Sequence, residues 1–458
     1  MKLKEFFLKL GYNINEYFKN QKNLISYGKW YNGLVDNFHR YYIYNGNKKI
    51  YRDRYSLRFT KVICETFANL ICNERVKIHL SNDRSSEKLD EILEYNNFRL
   101  KLNQSIERAF AFGYGAFILC IENSKIKIQY VDCNNIIPLK YDNNNIYEAA
   151  FISESHDNNL SVKDIQLHRI NNHDQYVIEN YRLYEDNNGE LTFSEVNDIP
   201  KRIEIKTGIP WFTIIKPNIV NNIIDDLPFG IPVYYNSIDT IKSLDIIFDS
   251  FVNEIQNGRK RLFVTADALK FDSRGHMKNA FDPNDVLFYL LERTGDDDKN
   301  KNYVQEVNGE LRIQELKLAL QTNLDILSSQ LGLGSSYFKV SNITNTSTSR
   351  TATEVISSNS DLYRTINKHN ILIYESVKQL IKGIQYISKE IFKENIDGEI
   401  FIDFDDSIIE SDYEKRDQDR RDVQLGVMSL AEYRSKWYDE PLEESKKKIE
   451  EIKGERNV

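Results

Sequence analysis

Near the C-terminal end stand Asp403, Asp405 and Asp406, the residues best suited by type to chemistry, because clustered oxygens are what a hard divalent cation needs. A metal-dependent hydrolase or nuclease built on them is one reading of the chain. The spacing gives it little support. Asp403 and Asp405 share a face only if the strand Glu399–Phe404 extends that far, and no histidine or further acidic motif is placed to complete a ligand set. They read as strand-end and turn carboxylates. The seven histidines, among them His39, His156, His168, His173, His276 and His369, form no HxxxH or HxH arrangement. His369 falls on a long helical pattern, where it reads as a packing or interface residue.

Gly332-Leu-Gly334-Ser-Ser336 has the small residues of a phosphate cradle, but no Gly-Lys-Ser/Thr follows and no strand precedes it. There is no G-x-S-x-G elbow for a nucleophilic serine either. Cys64, Cys72, Cys120 and Cys133 contain no CxxC pair and sit mostly in apolar runs such as Phe117–Cys120, so they read as reduced, buried and structural. The expectation is a protein without catalytic residues, metal or cofactor.

What remains is polar and uncharged. Asn342, Thr344, Asn345, Thr346, Ser347, Thr348 and Ser349, followed by Arg350, make a segment of short hydroxyl and amide side chains between two helical patterns. Composition alone allows a plain linker. Its position between long helices makes it a projection from the end of a rigid element. Arg259-Lys260-Arg261 is the one compact basic cluster beside a predicted strand. It complements a helix C-terminus or meets DNA or an acidic partner.

The elements that must carry these residues follow from periodicity. Helices are predicted at Tyr51–Ile71, Ser86–Tyr95 and Arg99–Phe112, from apolar positions recurring at three and four. Short alternating runs at Ala116–Ile121, Lys125–Val131, Ile146–Ser153, Tyr176–Glu185, Leu191–Val196 and Trp211–Ile215 predict an antiparallel sheet. Pro228, Gly230 and Pro232 mark a boundary. Beyond it, Ile238, Ile241, Leu244, Phe248, Phe251 and Ile255 stripe one helix of about 36 Å, which ends at Gly258. Ile313, Leu316, Leu320, Leu324, Leu327 and Leu331 stripe a second, and strands at Arg259–Val264 and Asp285–Leu291 lie between. That is a stalk of two helices with a head on its end. Thr351-x-x-Glu354 then caps a helix running to about Lys393 and close to 60 Å long. A strand at Glu399–Phe404 and a small helical bundle follow, with Glu443–Val458 fraying.

At 458 residues the chain needs several packed regions. Its formal charge of −8 argues against wrapping nucleic acid through a basic surface. No window of ~18 uncharged apolar residues and no cleavable leader is present, so it is expected to have no membrane span and to stay in a cytosol.

Several segments, weakly specific singly, occur in an order and spacing that together cover nearly the whole chain. They are Trp30–Gly33, Asn97-Phe98, Ala109–Ala116, Pro228–Val233, Ser243–Asp245, Gly258–Arg261, Thr351–Val355, Asp361–Thr365, Asp403–Ile409 and Gly426–Ser429. In these the chain resembles the portal proteins of tailed bacteriophages, the family of siphophages and related myophages of Gram-positive hosts. The resemblance implies an α+β, mainly helical fold with wing (1–231), stem helices (232–258 and 312–331), clip (259–311), tunnel loop (332–350), a long wing helix (351–395) and crown (396–458). It implies a homo-oligomer, a dodecameric ring at one capsid vertex, whose channel passes double-stranded DNA during packaging and ejection. The partners it implies are the terminase large subunit, a head–tail adaptor, and the major capsid and scaffolding proteins, with the protein residing in the virion after assembly in the host cytoplasm. The tunnel-loop residues 342 and 344–350 would face DNA, and Arg259, Lys260 and Arg261 would lie where partners dock on the clip. A tail or baseplate component is the structural alternative; it would oligomerise without a DNA-sized channel.

Overall fold

A computed structural model of the protein describes residues 2–46, 48–72, 76–142, 145–157, 160–171, 175–186, 190–194, 200–205, 209–223, 228–258, 261–265, 288–291, 304–307, 310–340, 352–404, 412–438 and 440–455. Helices predominate, and the strands gather into separate, mostly antiparallel sheets. This is the α+β class that the resemblance implies.

Two helices that periodicity did not mark, Leu3–Lys9 and Asn15–Asn32, open the chain. The helix predicted from Tyr51 begins only at Phe59. Its first residues belong instead to a hairpin of Arg40–Asn45 and Lys48–Asp53. The reason is the turn at Gly46, whose φ of +60° lets the chain reverse between the two strands. Helices Asp83–Tyr95 and Phe98–Phe112 follow within a few residues of expectation. Asn82 caps the first of them by accepting from the Arg84 and Ser85 amides at 3.1 and 3.4 Å.

The predicted sheet is two sheets. Phe212–Ile215, Gly115–Glu122 and Lys125–Asp132 form one, in that order. At its edge Asn96 imitates a further strand: its amide donates to the Ile126 carbonyl and its oxygen accepts from the Ile128 amide. The larger sheet runs Leu191–Ser194, Tyr176–Glu185, Leu160–Ile170, Asn145–Asp157, Ile136–Asp142, with Arg202–Ile205 also on Tyr176–Glu185. Phe6, Phe7 and Ile14 of the first residues bury against Ile137, Ile165 and Leu183 of that sheet, making a small second core.

The main core lies among the helices, the three-stranded sheet and the long helix Ala352–Glu390. Along that helix Leu362, Ile366, Ile373, Val377, Leu380, Ile384 and Ile387 form a buried apolar stripe; at 39 residues it spans roughly 58 Å. The strand Ile400–Asp403 then pairs with Lys77–Leu80. Helices Asp412–Gln424, Leu430–Tyr438 and Leu442–Glu455 end the chain. The last is formed rather than frayed over its described length: Lys448 pairs with Glu440 and Glu444 at 2.7 and 3.1 Å, and Ser445 is buried.

His369 sits in the main core between Phe67 and Phe110, its Nδ1 accepting from the Asn218 amide at 3.0 Å. Burial lowers its pKa to about 4, and lowers His168 to about 3. Below the ordinary value near 6.5 the unfolded chain therefore binds protons that the folded chain refuses, and stability falls as pH falls toward 4. Urea unfolding from pH 7 to 4.5 is expected to show a shallower acid slope for His369→Gln, by up to about 1.4 kcal/mol per pH unit. An unchanged slope contradicts the neutral buried state of His369.

Candidate functional site

The chain leaves the core through Phe229–Val233. Gly113 and Gly230 approach so closely that a Cβ on either would stand 2.4 or 2.1 Å from the other's carbonyl oxygen. The Val233 amide donates to the Phe110 carbonyl at 2.9 Å, and the buried Tyr234 hydroxyl lies 3.1 Å from the carbonyls of Tyr27 and Ala111. A helix cannot start until these contacts and Pro232 are passed. A 3-10 turn at Tyr235–Ser237 comes first, and the helix proper is Ile238–Asn257, about 30 Å long rather than the 36 Å expected.

Its partner, Ile313–Gln330, returns antiparallel. Thr240 donates to Gln330 at 2.9 Å at the base, and at the far end Glu254 receives the Arg312 backbone amide and two guanidinium nitrogens at 2.9–3.3 Å. Those bonds hold the Glu254 carboxyl below its usual range and raise Arg312. The apolar stripe is fully buried near the base, at Ile241, Leu244, Leu324 and Leu327, and half-buried further out, at Phe248, Phe251, Leu316 and Leu320. Ile255 at the far end of the stripe and Leu318 on the opposite face of its helix are exposed, because two helices can cover only one face of each other.

Beyond the helix pair are the strands Arg261–Thr265, Phe288–Leu291 and Val304–Val307. The first lies between the others, parallel to one and antiparallel to the next. Two of the three were legible in the sequence. Arg261 opens the first strand, in register with Val307; Arg259 and Lys260 lie outside the described residues.

The glycine-rich stretch is a helix end, not an anion cradle. Gly332, at φ +69°, turns the chain so that its amide and that of Leu333 donate to the Ser329 and Ser328 carbonyls. A Cβ there would meet Thr365 Oγ1 at 2.5 Å, the same hydroxyl that donates to the Gly332 carbonyl at 2.8 Å. Residues after it fold back along the helix. Ser328 Oγ accepts from the Phe338 amide at 3.2 Å, Gln321 accepts from the Val340 amide at 2.9 Å, and Phe338 packs edge-on to Phe59 at 4.9 Å. The chain is thus pinned up to Val340 and held again from the long helix beginning at Ala352. Asn342, Thr344, Asn345, Thr346, Ser347, Thr348, Ser349 and Arg350 lie between, outside the described residues, as do Thr351 of the expected cap and Asp405 and Asp406 of the carboxylate cluster. Asp403 ends its strand opposite Lys77, largely exposed, 3.9 Å from His79 Nδ1. Among the described residues no group of three His, Cys, Asp or Glu side chains is placed to hold a metal. The four cysteines are free thiols, and burial pushes them up, Cys120 to about 11 and Cys72 and Cys133 to about 12.

One cluster escaped the sequence reading. Asp245, buried on the outgoing helix, receives His39 Nε2 at 2.9 Å, the Ser56 hydroxyl at 3.0 Å and the Leu57 amide at 2.8 Å. The Val35 amide donates to His39 Nδ1 at 2.9 Å, so the ring proton sits on Nε2 and points at the carboxylate. Serine, histidine and aspartate meet here, yet neither imidazole nitrogen is free to act as a base and Ser56 addresses the aspartate. The set cannot run nucleophilic catalysis. It is a clamp that fastens the segment 35–57 to the helix pair, extended by Asp249 accepting from the Tyr55 amide at 3.1 Å. An aspartate beside Leu244, inside an apolar stripe, was the signal available in the sequence.

Comparison with known proteins bears on the whole chain. The family described as "Phage portal protein, SPP1 Gp6-like" matches residues 10–457. No curated protein matches. Among solved structures, the chain is similar to one in the virion of a native gene transfer agent (GTA) particle. That match is 9% identical with a TM-score of 0.39, over 82% of this chain and 87% of that one. A chain from the neck of an empty GTA particle computed with C6 symmetry is 10% identical with a TM-score of 0.42, over 90% and 92%. At those scores the likeness carries no argument.

Asp245→Ala strands the buried His39 donor and two half-buried ones, the Ser56 hydroxyl and the Leu57 amide, so a loss of about 3 kcal/mol is expected. Urea unfolding reads it directly; a midpoint equal to that of the parent protein contradicts the clamp.

Proposed function

The chain belongs to the phage portal protein family, SPP1 Gp6-like, and from that membership we propose that this capsid portal protein works as a dodecameric ring at the unique vertex. Its channel carries double-stranded DNA in during packaging and out during ejection. The protein itself is structural. The terminase large subunit supplies the work of packaging, and a head–tail adaptor, the major capsid protein and scaffolding proteins dock around the ring as it assembles in the host cytoplasm.

In this reading 1–231 and 351–395 are the wing, 232–258 and 312–331 the stem, 259–311 the clip, 332–350 the tunnel loop and 396–458 the crown. Two physical features support the assignment of stem and loop. The helix pair leaves Ile255, Leu318 and Ile326 exposed and its outer stripe only half-buried, as expected of helices that neighbours complete. The polar segment is mounted between two pinned ends, at Val340 and at the long helix. Loop residues with hydroxyl and amide side chains touch phosphates weakly and interchangeably, while Arg350 adds one charge per copy. Weak contact suits a conduit, since each firm phosphate pair would brake a sliding duplex. Arg259, Lys260 and Arg261, at the entry to the clip, offer a charged surface for docking.

The observation that carries the reading is the family match across nearly the whole chain; the loop's role is the part most open to test. Deleting 342–349 is expected to leave ring assembly intact while DNA packaged per particle, measured after nuclease treatment, falls severalfold or more. Full packaging by the deletion variant removes the loop from the mechanism.

A further inference from the structure

The hairpin Arg40–Asn45/Lys48–Asp53 is a sheet of only two strands, and every residue from Lys48 to Asp53 is exposed. A hairpin of that size is marginal in water on its own. Its register gathers Tyr42, Tyr44, Tyr51 and Lys49 on one face, through the pairs Tyr42↔Tyr51 and Tyr44↔Lys49. Tyr44 is 68% and Tyr51 64% exposed. Tyrosine and arginine are the residues that dominate binding at protein interfaces, and an aromatic face left open in this way marks such a surface.

We propose that this hairpin docks on a second copy of the same chain, against the outward face of the neighbour's helix Ile313–Gln330. The proposal rests on the ring reading above and names a contact within it. Charge favours a copy of this chain as occupant. Residues 40–54 carry five basic side chains against the single Asp53, in a chain of net −8. The same cations are partly engaged already, which disfavours a phosphate backbone. Arg40 pairs with Asp53 at 3.0 Å, Lys49 lies 3.8 Å over the Tyr42 ring, and Arg54 donates to the Phe38 carbonyl while covering the Phe38 ring. What faces outward is mainly phenol.

Placement supports the receiving surface. The segment after the hairpin is clamped to the outgoing helix by Asp245 and Asp249, so the hairpin stands beside one helix of the pair. The other helix exposes Leu318 (70%) and Ile326 (46%), two turns apart on one face, with Glu315 and Asp325 beside them. A head-to-tail ring joins two different surfaces of each copy, and in this contact the basic tyrosine face of one copy meets the apolar face of the next, flanked by Glu315 and Asp325.

The test is sedimentation over a concentration series for the full chain and for Tyr42→Ser/Tyr44→Ser/Tyr51→Ser, with circular dichroism to confirm that the exposed changes leave the fold intact. The variant is expected to need about tenfold more protein, or more, to form rings. Oxidising assembled Tyr44→Cys/Leu318→Cys should give a ladder of covalent multimers on a non-reducing gel that neither single variant gives. Parent rings with unaltered variant assembly, or rings without a ladder, overturn the contact and leave the ring standing. Normal assembly with lost DNA retention overturns it in favour of a nucleic-acid role. A parent protein that stays monomeric throughout overturns the ring itself.

Discussion

A carboxylate shut away from water must be met by protein donors, and Asp245 meets that demand with three of them drawn from a distant stretch of chain. The consequence is geometric. The outgoing helix cannot tilt without breaking bonds to His39, Ser56 and Leu57, and the backbone amide of Tyr55 is held to the same helix by Asp249. The base of the helix pair is thereby made continuous with the main core, through Tyr234, Leu244 and Leu327. Everything carried further out, the fork of Arg312 on Glu254 and the three strands beyond it, inherits its position from that base.

The same rigidity reaches the polar segment by another route. Gln321, Ser328 and Thr365 fix the backbone from Gly332 to Val340 against both the returning helix and the long helix. The long helix in turn is seated by its apolar stripe over the three-stranded sheet, where Ser376 and Gln379 donate to the carbonyls of Ile214 and Phe212.

Much of this was legible in the sequence, because long amphipathic helices announce themselves. The stripes of the helix pair and of the long helix were read to within a few residues, and the paired prolines marked where the stalk leaves the core. Turn chemistry and local caps were read less well. The turn at Gly46 leads into a strand that takes Tyr51–Asp53 out of the predicted helix, and the strands Ile136–Asp142 and Leu160–Ile170 are spaced too unevenly in apolar residues to stand out. The Asp245 clamp was harder to read for a deeper reason: the aspartate beside Leu244 hinted at a buried charge, but its partners lie about two hundred residues away in sequence, and no spacing rule links them. Oligomeric order is of the same kind. Exposed Ile255 and Leu318 on the helix pair are apolar surface that the single chain leaves uncovered, while family membership supplies what a ring would add.

The central claim is that this chain closes into a ring around a channel. Electron microscopy of the purified protein, with its mass in solution, tests that most directly. Dodecameric rings with a central hole wide enough for duplex DNA are the expected result; a monomer or dimer with no channel contradicts the account.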